Sequence, residues 1–148
     1  MKSCSRKIKI LSRINIRIKP EDINVYLHHL KSKNVQNFDL IALEPSDNQV
    51  LVYLCTNNFN ADIITINSGI ECNLTDKHLI RPLRNAVNSF SLCFELNYNS
   101  ALTSSTERRD LIMAGRCLAF NTKLDGLILS SRVSQKINLR GPYDLLNM

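Results

Sequence analysis

Residues 8–20 read IKILSRINIRIKP, and this stretch decides the fold. Ile8, Ile10, Ile14, Ile16 and Ile18 share one parity; Arg13, Asn15, Arg17 and Lys19 share the other. A strand sends alternate side chains to opposite faces, and β-branched residues favour strands. The spacing therefore predicts a strand with an isoleucine face for the core and a basic face for solvent or phosphate. Pro20-Glu21-Asp22 follows, and proline in a first helical turn with acids beside it starts a helix. Ile23, Tyr26, Leu27 and Leu30 then recur at helical spacing to about Lys33.

The same unit repeats along the chain. Residues 38–43 (FDLIAL) form a short apolar run, expected to be a buried strand. Residues 44–48 (EPSDN) are turn chemistry. Residues 49–58 are ambiguous: VLVYL has strong β propensity, whereas the flanking strands favour a helix. Residues 62–66 (DIITI) predict a buried strand, residues 82–90 a helix with Pro82 in its first turn, and residues 92–96 (LCFEL) another strand. Ser104-Ser105-Thr106-Glu107 is a capping box. It opens a helix to about Phe120, with Leu111, Ala114, Gly115 and Leu118 on one face. Residues 127–129 form the next strand, Ile137 and Leu139 a last short one, and Gly141-Pro142 opens a helix. Alternation of this kind means βαβ units and a parallel sheet, hence an α/β protein. A closed eight-unit barrel takes ~250 residues. The expectation is an open sheet, or a barrel lacking its N-terminal start; the end soon after a helix start favours the second.

Composition bounds the function. The chain has 148 residues, 44% of them hydrophobic and 22% charged, as in soluble globular proteins. That is enough for one sizeable core, so one domain over residues 1–148 is expected. No apolar run is long enough to span a bilayer, and no apolar block follows the basic start as a secretory signal requires. Cys4, Cys55, Cys72, Cys93 and Cys117 stand far apart, without a CxxC pair. They argue against a zinc ribbon or a disulfide framework and for reduced thiols in a cytosolic or nuclear protein. Neither GxGxxG nor GxxxxGK[ST] occurs, which excludes the usual phosphate loops.

Charge is unevenly placed. Lys2, Arg6, Lys7, Lys9, Arg13, Arg17 and Lys19 give residues 1–20 a charge of +7 with no acid, against +6 for the whole chain. Such asymmetry points to a polyanion; a merely solvated face and an acid-free mitochondrial presequence are the alternatives. His28, His29 and His78 form no metal pattern: neighbours on a helix lie about 100° apart and do not converge on one ion. Ser130-Ser131 ends a strand, where α/β proteins place ligands, but no GxSxG surrounds it. Glu95 lies inside an apolar strand and needs a partner, because an unpaired buried charge is costly. Helical geometry turns Arg108 toward the inward stripe of the following helix. It leaves Arg109 and Arg116 free for an external anion. The pair Glu95–Arg108 is expected to be structural, with a catalytic carboxylate as the alternative.

Arg81-Pro82, Phe94-Glu95-x-x-Tyr98, Ser105-Thr106-x-Arg108-Arg109, Leu129-Ser130-Ser131 and Leu139-Arg140-Gly141-Pro142-Tyr143-Asp144 follow one another in order. This ordered set resembles the thirty-kilodalton protein subunit family of ribonuclease P, shared with RNase MRP in eukaryotes. Ser100 stands where the family usually has proline, and Ile80-Arg81 where it has a basic pair. The resemblance implies a TIM-barrel-like fold related to the polymerase and histidinol phosphatase (PHP) group, without its metal ligands and with first strands preceding Met1. It implies a non-catalytic nuclear subunit, with the nucleolus as its expected place, that binds ribonuclease P RNA and other protein subunits. Precursor tRNA is met only indirectly, and the RNA of the particle holds the Mg2+ that cleaves the 5′ leader. The candidate RNA- or partner-contacting residues are Arg13, Arg17, Lys19, Arg81, Arg109, Arg116, Ser130, Ser131, Arg132, Lys136, Arg140, Gly141 and Tyr143. A phosphate is expected at the Gly141-Pro142 helix start, with a simple closing turn as the alternative. The rival function is a truncated barrel hydrolase with Glu95 as general base.

Overall fold

The isoleucine alternation produces strand β1 (Arg13–Ile18), whose Ile14, Ile16 and Ile18 turn toward the core. A computed structural model of the chain describes residues 8–30, 32–67, 74 and 77–147; Lys2, Arg6, Lys7, Cys4 and Cys72 lie outside them. The strand is shorter than its sequence pattern. Ile8 and Ile10 are exposed, because the ladder with the next strand begins only at Arg13. A 3-10 turn (Pro20–Asp22) leads into α1 (Ile23–Leu30), and a short α2 (Lys33–Gln36) precedes β2 (Leu40–Pro45). Glu44 and Pro45, expected in a turn, belong to β2 and pair with Arg17 and Ile18.

Helix α3 (Asn48–Thr56) settles the ambiguous stretch. Asp47 Oδ1 accepts from the Val50 N–H at 2.9 Å, and this cap together with the flanking strands overrides the β propensity of VLVYL. Then come β3 (Ile63–Ile66), α4 (Ile80–Phe90), β4 (Cys93–Asn97), α5 (Asn99–Thr103), α6 (Ser105–Thr122) and β5 (Leu127–Ser130). The expected cap of α6 is present, with Ser104 Oγ accepting from the Glu107 N–H at 3.3 Å. Gly126, at φ 65°, turns the chain into β5; a Cβ there would meet the Leu92 carbonyl oxygen at 2.9 Å. The last expected strand is absent. Ile137 and Leu139 are exposed, and the segment closes on itself in a 3-10 turn (Lys136–Asn138) before α7 (Pro142–Leu146).

Among the described residues all four strand pairings are parallel and the order is β1-β2-β3-β4-β5. Parallel strands in sequential order, with the helices between them packed on one face, are the arrangement of a TIM barrel wall. That face carries Ile16, Ile18, Leu43, Ile64, Ile66, Phe94 and Leu96, which join Leu51, Leu54, Leu83 and Leu118 in one core. The register puts a different set on the other face: Arg13, Asn15 and Arg17, then Glu44, Thr65, Glu95, Asn97 and Ser130. Two ion pairs cross it, Arg13 of β1 to Glu95 of β4, and Arg132, just after β5, to Glu44 of β2. In a flat sheet three strand spacings would hold each pair about 14 Å apart. Side chains meet across that span because the sheet curls around this face, as a barrel wall does.

Candidate functional site

Strand β4 splits its motif between the two faces. Phe94 enters the helix-covered core and Glu95 the concave polar face, where it is 3% exposed. Its partner is Arg13. Arg13 Nη1 donates to Oε1 at 2.7 Å and Nη2 to Oε2 at 2.5 Å, a bidentate pair. Thr65 Oγ1 adds a bond to Oε2 at 2.8 Å. This corrects the expected Glu95–Arg108 pair. Arg108 is exposed, and its Nε donates to the Ala101 carbonyl at 3.0 Å. Helical angles place Arg108 relative to its own helix; they say nothing of a strand three neighbours away whose arginine reaches in first.

Burial by itself would raise the Glu95 carboxyl. Hydrogen bonds from Arg13 and Thr65, with the charge of Arg13, outweigh it and hold the group below its ordinary range. A general base works best with a pKa near the operating pH. Glu95 is displaced the other way and both its oxygens are occupied, so the hydrolase reading finds no support. The depressed pKa has a consequence for stability. A carboxylate stabilised in the fold contributes above its unfolded pKa, about 4.5, and loses that contribution as pH falls through the lower folded value. Urea melts are expected to show wild-type stability declining below about pH 4.5, and Glu95→Gln, weaker at neutral pH, declining less steeply. Equal acid slopes would remove Glu95 from this role.

The carboxyl ends of the strands carry a polar network. Ser130 Oγ donates to Asn97 Oδ1 at 2.6 Å, and Asn97 Nδ2 donates to Asn67 Oδ1 at 2.8 Å. Arg132 Nη1 donates to the same Asn67 oxygen at 2.7 Å and meets Glu44 Oε2 at 3.1 Å. Arg13, Asn15, Thr65, Glu95, Asn97, Ser130 and Arg132 line a cavity of about 340 Å³. Among the described residues no three His, Cys, Asp or Glu side chains group as metal ligands. Thr65, Asn67, Asn97 and Glu44 carry no motif in the sequence. Thr65 shows the same signal as Glu95, one polar residue in an apolar strand; Asn67 and Asn97 are marked only by standing at strand ends.

The expected contact residues do not share one surface. Arg17 and Lys19 at the end of β1 stand at the same end of the sheet as Ser130, Ser131 and Arg132. Arg17 is 65% exposed, with Glu44 only at 3.9 Å. Arg13 shares the face of Arg17, but its charge is matched by Glu95. Arg81 is exposed in the first turn of α4, and Arg109 and Arg116 are exposed on α6. Lys136, Arg140, Gly141 and Tyr143 lie along the C-terminal segment, all exposed. At the Gly141-Pro142 helix start Asp144 Oδ2 accepts from the N–H of Gly141, the residue just before the helix, at 3.2 Å. Tyr98, 2% exposed, accepts from the Arg140 N–H at 3.2 Å and so ties two of the sequence motifs together.

Comparison with known proteins adds the family. The family model described as RNase P subunit p30 matches residues 1–148. The chain is 32% identical to the Ribonuclease P protein subunit p30 of Mus musculus over 148 residues, covering 97% of this chain and 52% of the mouse protein. It is 29% identical over 143 residues to the Probable ribonuclease P protein subunit 3 of Schizosaccharomyces pombe, covering 97% and 57% of the two. It is also 30% identical over 130 residues to Protein GAMETOPHYTE DEFECTIVE 1 of Arabidopsis thaliana, covering 84% of this chain and 21% of that one. The chain thus spans about half the length of the first and second of these relatives and a fifth of the third. With residues 1–148 of the chain matched by the family model, and its sheet running in TIM-barrel order, this protein belongs to the RNase P subunit p30 family.

Proposed function

We propose that the chain serves as a non-catalytic protein subunit of the ribonuclease P ribonucleoprotein. In this role it docks on the RNA of the particle, chiefly through phosphates, and supports removal of the 5′ leader from precursor tRNA. The family match over residues 1–148 of this chain carries the reading. The chemistry of the strand ends agrees with it: the positions where barrel enzymes keep catalytic groups hold amides, a hydroxyl and paired guanidiniums. The Mg2+ of the reaction belongs, in this proposal, to the RNA. Other protein subunits of the particle, shared with RNase MRP, are the expected protein partners, and the expected place is the nucleus, including the nucleolus. No helix among the described residues is long and apolar enough to cross a membrane.

Two measurements test the proposal. Purification of the tagged chain from its own cells should bring down the RNA of ribonuclease P; recovery of the chain without that RNA counts against the role. In a binding titration, affinity should fall steeply with salt, because each neutralised phosphate releases counterions. Replacing Arg17 and Lys19 by Ala should flatten log K against log[salt] by about 0.7–0.9 for each phosphate no longer neutralised. An unchanged slope would mean that this end of β1 does not meet RNA.

A further inference from the structure

Among the described residues five arginines have no carboxylate within 4.0 Å: Arg81, Arg84, Arg108, Arg116 and Arg140. Two of these, Arg108 and Arg140, come from distant segments and line one groove of about 490 Å³ with Leu102, Asp144 and Asn147. Both are anchored. Arg108 Nε is held by the Ala101 carbonyl at 3.0 Å. The Arg140 backbone is held by the buried Tyr98 hydroxyl at 3.2 Å, and its Nη1 reaches the Ile137 carbonyl at 3.4 Å. A guanidinium offers five N–H donors in a fixed fork. Most of those on each arginine therefore meet no acceptor among the described residues. Asp144 shares the groove but forms an ion pair with neither arginine; its Oδ2 is bound to the Gly141 N–H at 3.2 Å.

Two anchored guanidiniums would suit any phosphate, since the fork matches two phosphate oxygens. The carboxylate beside them would repel a bare anion or an acidic peptide. It suits a ligand that presents a hydroxyl donor next to its phosphate, which is what a ribonucleotide does through its 2′-hydroxyl. We infer that this groove holds one ribose-phosphate unit of a single-stranded RNA, with Arg108 and Arg140 gripping the phosphate and Asp144 accepting from the 2′-hydroxyl. The inference rests on the RNA-binding reading above and deepens it, by naming the place and the sugar chemistry that distinguishes RNA from DNA.

The test titrates the full chain with single-stranded RNA and DNA of one sequence across a salt series. RNA should bind more tightly than DNA. Arg108→Ala and Arg140→Ala should each weaken RNA binding roughly tenfold, as removal of a charge-assisted bond does. The double variant should lower the salt slope by about 0.7, the value for one phosphate on a single strand. Asp144→Ala should bring the RNA-to-DNA affinity ratio toward one; the ratio is internally controlled, because general damage to the turn weakens both. If wild type binds RNA but the double variant keeps its affinity and slope, the groove is overturned while the RNA-binding reading stands. A ratio unmoved by Asp144→Ala overturns the sugar recognition and with it this inference. A wild-type chain that binds neither strand defeats the RNA-binding reading itself.

Discussion

Arg13→Ala is expected to lower stability by about 3 kcal/mol, the low end for a broken buried ion pair. The low end applies because the Arg13 side chain keeps 27% of its exposure, so water reaches the gap it leaves, while the Glu95 side chain is only 4% exposed. For a domain of this size the deficit corresponds to roughly 6–12 °C in Tm. Arg108→Ala should cost far less in the same melt. It strands no carboxylate and gives up one bond to a main-chain carbonyl at an exposed site. The Arg13→Ala deficit should also shrink in acid, since a protonated Glu95 no longer needs a counter-charge. A melt in which Arg108→Ala is the more damaging change would overturn the pairing of Glu95 with Arg13.

Phe94→Ala, one residue away, should cost about 3–5 kcal/mol by a different mechanism. Phe94 is fully buried against the helix layer and is among the largest side chains there. Its removal forfeits transfer free energy and leaves a cavity, neither of which titrates. The deficit should therefore be the same at pH 4 and pH 7, in contrast to Arg13→Ala. A Phe94→Ala deficit that fades with acid would mean that the mutation acts by disturbing Glu95 rather than the core. The two neighbours thus separate the sheet's two faces by their pH dependence alone.

The strand-helix alternation is legible in the sequence, because periodicity and end signals are local. Period two marks β1, prolines mark the helix starts after β1 and β3, and Ser104 with Glu107 marks the start of α6. Where local signals conflict or run past their support, the reading fails. Ile137 and Leu139 keep strand parity but have no neighbouring strand to pair with, and Ile8 and Ile10 extend the pattern beyond the ladder. The stretch around VLVYL is decided by Asp47, which caps it as a helix, together with the strands that flank it.

The need of Glu95 for a cation is likewise visible in the sequence, since a lone carboxylate inside an apolar strand states its own problem. Which cation answers it is not. Arg108 is near in the chain, and Arg13 is 82 positions away. Only the curl of the sheet, which brings β1 across to β4, makes the distant arginine the nearer one. The same curl joins Arg132 to Glu44, and Tyr98 fixes Arg140 so that it shares a groove with Arg108. Sequence spacing determines which elements form and which side of each is apolar. Which polar groups satisfy one another across the concave face is decided by strand register and curvature, properties of the assembled sheet that no single segment carries.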